Sequence, residues 1–238
     1  MRRQRNGIRC IVFDFGGTLA EQAYSPSVTD IIFLLKVFYK TDFSSTFIAN
    51  LHCSHIMAEQ EYKETGTPTS WASKIYRACH DSNIMLSHLI EFESYLWNHY
   101  PDGDISNSTR ELLQRLYNSG FIIFLACNTR RPAIQRRKTL MDAGVYNYFQ
   151  SDVISTDIGK GKPHDDFYSA VISKIHDAEF KCSETIFVGN SYERDVIGPK
   201  KFGMNAVLVD QNNNPFCDTI DNIAELDKYL VGYSYEEI

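Results

Sequence analysis

Apolar and polar positions alternate in two regimes along the chain. A first apolar run begins at Ile8 and stops before Asp14, as a buried strand would. From residue 108 onward, helical and strand patterns take turns. A stripe of Leu112, Leu113, Leu116 and Tyr117 predicts a helix over Ser108–Ser119, closed by Gly120. The continuous run Phe121–Cys127 predicts a strand, and a helix from Pro132 to Ala143 ends at Gly144. A short strand at Asp152–Ser155, a helix at Asp165–His176 and a strand at Thr185–Val188 follow. The last pair is a helix at Asp195–Phe202, ending at Gly203, and a strand at Ala206–Val209. Fully apolar strands separated by helices predict an α/β fold, a parallel sheet covered by helices on both faces.

Residues 27–100 break this alternation. They read as four helices, Ser27–Tyr39, Ser45–Lys63, Ser70–His80 and Ser87–Tyr100, with no strand between them. Pro26 and the stretch Pro101-Asp-Gly103 are natural hinges at either end. The expected organisation is a discontinuous core domain, residues 1–24 and 102–238, with a helical cap domain at 25–101. A cap inserted after the first strand stands over that strand's carboxyl end, where a lid can exclude water and select a ligand.

Composition adds exclusions. The formal net charge of −6 argues against a nucleic-acid partner, because phosphate backbones need a basic face. The basic start, Met1 to Arg5, reads as a solvated tail. Ile31–Leu35 is apolar but is followed by Lys36 and is too short for a bilayer, so no membrane association is expected. Six scattered cysteines without a CxxC pair fit reduced thiols, hence a cytoplasmic location.

Ligands in open parallel sheets bind beyond the carboxyl ends of the strands, so the chemistry is sought there. Four loops stand out: Asp14-Phe-Gly-Gly-Thr18, Cys127-Asn-Thr129, Gly159-Lys-Gly-Lys-Pro163 and Gly189-Asn-Ser-Tyr-Glu-Arg-Asp195. Together they bring Asp14, Lys162 and Asp195 to one edge of one sheet. A carboxylate beside a lysine and backbone amides suits attack on a phosphoryl group. Two carboxylates with a backbone carbonyl also suit a hard cation such as Mg²⁺.

These four loops resemble the motifs of the haloacid dehalogenase (HAD) superfamily, chiefly phosphatases with a helical cap between motifs one and two. "DFGGT" at 14–18 meets motif one, "FIIFLACN" at 121–128 motif two, "STDIGKGKP" at 155–163 motif three and "GNSYERD" at 189–195 motif four. The resemblance implies a Rossmann-like core with an inserted all-α cap. It implies Asp14 as the nucleophile that forms an aspartyl-phosphate, Lys162 as the group neutralising the phosphoryl oxygens, and Thr18 as a brace. It further implies substrate contacts by Cys127 and Asn128, and a Mg²⁺ site made by Asp14, the Gly16 carbonyl, Asn190 and Asp195. The expected partner is a small phosphorylated metabolite.

Three positions depart from the motifs. Gly16 replaces the general acid/base, Cys127 replaces a hydroxyl with a weaker donor, and Asn190 replaces a carboxylate, so Mg²⁺ should bind weakly. Three readings stay open: a specialised Mg²⁺-dependent phosphatase or phosphotransferase, a catalytically silent ligand- or partner-binding protein, and a 2-haloacid dehalogenase. His164 and Tyr192 are near enough in sequence to stand in for the missing acid, although both read more simply as rim residues. His52, His55 and Glu59 share one cap-helix face and read as lid packing rather than a metal site. Arg130, Arg131, Arg136 and Arg137 read as mostly solvated, with Arg130 or Arg131 in reach of an anionic substrate.

Overall fold

The computed structural model describes residues 7–210, 212 and 214–232; the basic start at 1–5 lies outside them. Six parallel strands form one sheet in the order β3-β2-β1-β4-β5-β6. They are β1 (Cys10–Phe13), β2 (Ile122–Cys127), β3 (Phe149–Ile154), β4 (Thr185–Gly189), β5 (Asn205–Val209) and β6 (Thr219–Ile220). β1 lies at the centre with all four residues buried, which is why its sequence is apolar on both faces. One face packs under Leu112, Leu113 and Leu116 of α5 (Asn107–Asn118), Leu140 of α6 (Ala133–Asp142) and Leu226 of α10 (Leu226–Gly232). The other packs under Phe167, Tyr168, Val171 and Ile175 of α8 (Asp165–Asp177). The chain is thus the α/β fold that the alternation predicts, with the Rossmann-like core that the motif resemblance implies.

The cap is four helices: α1 (Val28–Tyr39), α2 (Ser45–Thr65), α3 (Trp71–Asp81) and α4 (Leu89–His99). Ser27, Ser44 and Ser70 each accept a backbone N–H of the first turn, and Ser27 with Asp30 completes a capping box. Each such cap contributes about 1 kcal/mol. The inward stripes meet in a cluster of their own, including Ile31, Leu35, Phe47, Leu51, Ile75, Phe92 and Leu96. The two connections to the sheet run side by side. Glu21 N–H donates to Asp104 O at 3.2 Å, and a β-carbon on Gly103 would fall 1.9 Å from Glu21 O.

Three elements differ from the sequence expectation. β3 begins at Phe149, earlier than its apolar residues indicate, because the sheet edge accepts Gln150, Ser151 and Asp152. Ser155 then leaves the strand and opens the short α7 (Ser155–Ile158). The helix expected from Asp195 is instead a wide π-type turn, Tyr192–Ile197, before α9 (Gly198–Lys201). In that turn Ser191 O accepts Asp195 N–H at 2.7 Å and Asp195 Oδ2 accepts Ser191 N–H at 2.9 Å, so the Asp195 side chain folds back towards β4.

Candidate active site

Asp14 is the first residue beyond β1, and its N–H still donates to Val188 O at 2.9 Å. The strand ladder therefore fixes where its side chain starts. Phe15 O then accepts the N–H groups of Thr18, Leu19 and Ala20 at 3.2, 2.9 and 3.0 Å, closing a tight turn. That turn needs a left-handed residue, and Gly17 supplies it at φ 76°. A β-carbon on Gly17 would meet Asn190 Nδ2 at 2.1 Å, so the same glycine lets the loop after β4 close in.

Lys162 joins the loops. Its Nζ donates to Asp14 Oδ1 at 2.7 Å, Asp195 Oδ1 at 2.6 Å and Ala126 O at 3.0 Å. Lys162 is 3% exposed and Asp195 1%. Burial acts to lower the ammonium pKa, but the two carboxylates outweigh it and hold Lys162 above the usual lysine range. Burial, with the like charge of Asp14, raises the Asp195 carboxyl above its ordinary value against the pull of Lys162. Thr18 Oγ1 donates to Asp14 Oδ2 at 3.5 Å.

Asp14, Gly16, Asn190 and Asp195 line one cavity of about 130 Å³ together with Lys162. Asp14, Asp195 and Asn190 offer two carboxylates and one amide, oxygen donors suited to a hard cation, and these residues thus fit Mg²⁺. Among the described residues no group of three or more His, Cys, Asp or Glu is placed to hold a metal, consistent with Asn190 standing where a third carboxylate would strengthen the set. Gln22 also enters this cavity, with its Oε1 3.2 Å from the position of a β-carbon on Gly16.

Asn128 is fixed on both sides. Its Nδ2 donates to Lys162 O and to Tyr62 OH of the cap, each at 2.8 Å, and its Oδ1 accepts Lys162 N–H at 2.8 Å. The cap touches the lysine loop elsewhere too. Gly161 N–H donates to Gly66 O at 2.7 Å, and Lys160 Nζ donates to Thr65 O at 2.9 Å and Thr67 Oγ1 at 3.1 Å. Under the cap lies a second cavity of about 570 Å³, which shares Gln22, Ala23, Asn128, Arg136 and Arg194 with the first.

Residues 8–203 match the profile of the family described as haloacid dehalogenase-like hydrolase. The chain belongs to this family. A curated relative, the glyceraldehyde 3-phosphate phosphatase of Methanocaldococcus jannaschii, is 27% identical over 100 residues, 39% of this chain and 42% of that protein. The chain thus matches less than half of that relative's length. Among solved structures, a 2-haloacid dehalogenase from Pseudomonas syringae pv. tomato superposes with a TM-score of 0.67 at 16% identity, covering 95% of this chain and 99% of that one. A HAD phosphatase from Thermococcus onnurineus gives 0.60 at 19%, covering 94% and 99%. These two structural likenesses establish the HAD fold of the chain.

The remaining residues singled out from the sequence are distributed as follows. Cys127 is fully buried in the apolar core under α5 and α6 and lines neither cavity, and burial pushes its thiol up to about 12. His164 caps α8, accepting Asp166 N–H at 3.3 Å, and neither it nor Tyr192 lines the Asp14 cavity. His52 is exposed, while His55 stacks on Trp71 at 5.1 Å, and Glu59 pairs with Lys74 at 3.4 Å. The expectation that the arginines are mostly solvated is corrected: Arg131 and Arg136 are each 5% exposed and Arg137 pairs with Asp152. Arg136 falls in step with buried Ala133 and Leu140 on α6, a spacing that places it on the inward stripe. Sequence reasoning did not single out Gln22, Tyr62, Lys74 or Asp102. Tyr62 and Lys74 lie on amphipathic cap helices, whose pattern tells which face packs but not which polar group overhangs the sheet.

Proposed function

We propose that this HAD-family hydrolase is a phosphatase or phosphotransferase in which Asp14 is the nucleophile. The supporting observation is the buried Lys162 ammonium shared by Asp14 and Asp195. An Asp14 carboxylate oxygen attacks phosphorus, the bond to the ester oxygen breaks, and the leaving group departs with its electron pair. Water, or an acceptor hydroxyl in a phosphotransferase, then attacks the phosphorus of the aspartyl-phosphate and gives up its proton. The bond from phosphorus to the Asp14 oxygen breaks, and phosphate or the new ester leaves with Asp14 restored as carboxylate. Lys162 orients the nucleophile through its hydrogen bond to Asp14 Oδ1 and offsets charge on the phosphoryl oxygens. Asp14, Gly16 through its carbonyl, Asn190 and Asp195 would hold Mg²⁺, which when bound supplies further charge neutralisation at the phosphoryl group.

The helices of 25–101 act in this reading as a lid over a core of 1–24 and 102–238, and the substrate is a small phosphorylated metabolite. Gly16 provides no side chain to protonate the leaving oxygen, which is worth on the order of 10²–10⁴ in rate. Acyl, enol and aryl phosphates, whose leaving groups depart unprotonated, are therefore favoured over alkyl phosphates. Two observations favour the competing reading of a silent binding protein: the Gln22 amide beside Gly16, and the Cys127 thiol turned into the core.

Hydrolysis of p-nitrophenyl phosphate with and without Mg²⁺, beside Asp14→Asn, separates the two. Release that depends on Mg²⁺ and disappears in Asp14→Asn upholds the phosphatase. Release no greater than that of the variant leaves the binding protein.

A further inference from the structure

We infer that the cavity beneath the cap receives a phosphate ester whose leaving half, an enol or a phenol, carries a second anionic group, a carboxylate or another phosphate. The inference rests on the phosphoryl chemistry proposed above. The cavity of about 570 Å³ adjoins the Asp14 cavity through five shared residues, so a phosphoryl group at Asp14 directs the rest of its ester under the cap. That volume suits a metabolite-sized group.

The wall is strongly cationic. Lys74, Arg130, Arg131, Arg136 and Arg194 line it. Glu59 is the one carboxylate of the lining, and Asp102 behind it pairs with Arg131 and Arg136, which leaves five cations against two carboxylates. Glu59 is shared by two of them, Lys74 Nζ at 3.4 Å and Arg130 Nη2 in closer contact, so the pair keeps a net positive charge. Lys74 is 1% exposed, a cation held away from water.

Three of the four Tyr and Trp rings in the lining carry cations. Trp71 carries His55 on its ring, with planes 10° apart, and Lys74 Nζ 4.4 Å from its centroid. Trp97 carries Arg131 at 4.5 Å, and Tyr62 carries Arg130 at 4.8 Å. The rings thus position cations, and the ligand they serve is anionic rather than aromatic.

Arg136 is the independent observation. It lines both cavities while 5% exposed, its Nε has no hydrogen-bond partner among the described residues, and Nη1 faces Asp102 Oδ2 at 3.0 Å out of line for a hydrogen bond. Nε and Nη1 are closed off from both cavities, so what Arg136 offers an anionic ligand at the junction is its positive charge.

Titration calorimetry with phosphonates, which do not turn over, tests this. The probes are benzylphosphonate, 4-carboxybenzylphosphonate and p-xylylene bisphosphonate. Both doubly substituted probes should bind at least about tenfold more tightly than benzylphosphonate. Lys74→Met and the more exposed Arg130→Gln should each reduce that preference, with thermal melts confirming that they fold. Either ranking of the two probes upholds the inference and tells which second anion is preferred. Equal affinity for all three, or a preference that survives both substitutions, overturns it. A preference without p-nitrophenyl phosphate turnover would overturn the phosphatase and uphold the anion site.

Discussion

Gln22 fills the space beside Gly16: its Oε1 lies 3.2 Å and its other amide atoms 3.7 Å from where a β-carbon on Gly16 would stand. The neighbour is the end of an exposed, flexible side chain, and Gly16 is outside the left-handed region that only glycine enters easily. A side chain at 16 therefore requires Gln22 to shift by a few tenths of an ångström, not the backbone to move. Gly16→Asp should restore a proton donor facing the leaving oxygen. Turnover of an alkyl phosphate should rise by about 10²-fold, with a much smaller change for p-nitrophenyl phosphate. A common change in kcat for both esters would show that position 16 does not protonate the leaving group.

Gly17 is the reverse case. Its φ of 76° is strained for any side chain, and the added β-carbon would meet Asn190 Nδ2 at 2.1 Å. Gly17→Ala should destabilise the protein by about 1–2 kcal/mol through the backbone and push Asn190 away from the Asp14 cavity. Titration of p-nitrophenyl phosphate hydrolysis with Mg²⁺ checks the second effect, since the half-saturating concentration should rise. An unchanged titration would place Asn190 outside the cation set.

Much of this was legible in the sequence, for a physical reason that also sets its limit. Strands buried on both faces are apolar throughout, so β1, β2, β4 and β5 announce themselves, and the loops that follow three of them carry Asp14, Asn128 and Asp195. The edge strand β3 hides its first residues because Gln150 and Ser151 are polar at the sheet edge, and β6 has only two residues in which to show a pattern. Asp195 reads as the start of a helix because propensity cannot distinguish an α-turn from the wider turn that places its carboxylate against Lys162. Arg136 reads as solvated because charge normally outweighs position. Its spacing from Ala133 and Leu140 points it inward, and the tertiary partners, Asp102 at 3.0 Å and the Phe15 ring at 3.6 Å, are what a charge needs to stay there.

Arg131 ties the cap linkers to the core. Its Nη1 donates to Tyr100 O at 2.5 Å, and its Nη2 to Pro101 O at 3.0 Å and Tyr24 O at 3.5 Å, so one guanidinium holds both connections. Nε lies 3.5 Å from Asp102, whose side chain is 3% exposed. Arg131→Met should cost about 1–3 kcal/mol in urea denaturation, because the linker carbonyls lose their donor while Asp102 keeps Arg136. It should also free the linkers. Limited proteolysis should then cut first near residues 24–26 and 100–103. Cleavage spread evenly over the chain would mean that Arg131 stabilises the fold without holding the hinge.

Cys127 and Cys10 make the fold sensitive to alkali. Burial pushes the Cys127 thiol up to about 12 and, as the largest influence, the Cys10 thiol to about 11. An unfolded cysteine ionises near 8.5. Below that pH both states keep their protons and the thiols leave stability independent of pH. Above it the unfolded chain releases protons that the folded chain retains, so stability falls, by up to about 1.4 kcal/mol per pH unit for each thiol. Cys127→Ser cannot ionise in this range. The loss of unfolding free energy between pH 7 and pH 9.5 should therefore be smaller in the variant by about 1 kcal/mol, read from urea denaturation. The variant should also be less stable at pH 7 by about 1–3 kcal/mol, since its hydroxyl enters an apolar core. An undiminished alkaline loss in Cys127→Ser would assign the sensitivity to Cys10 and to the other groups that ionise there.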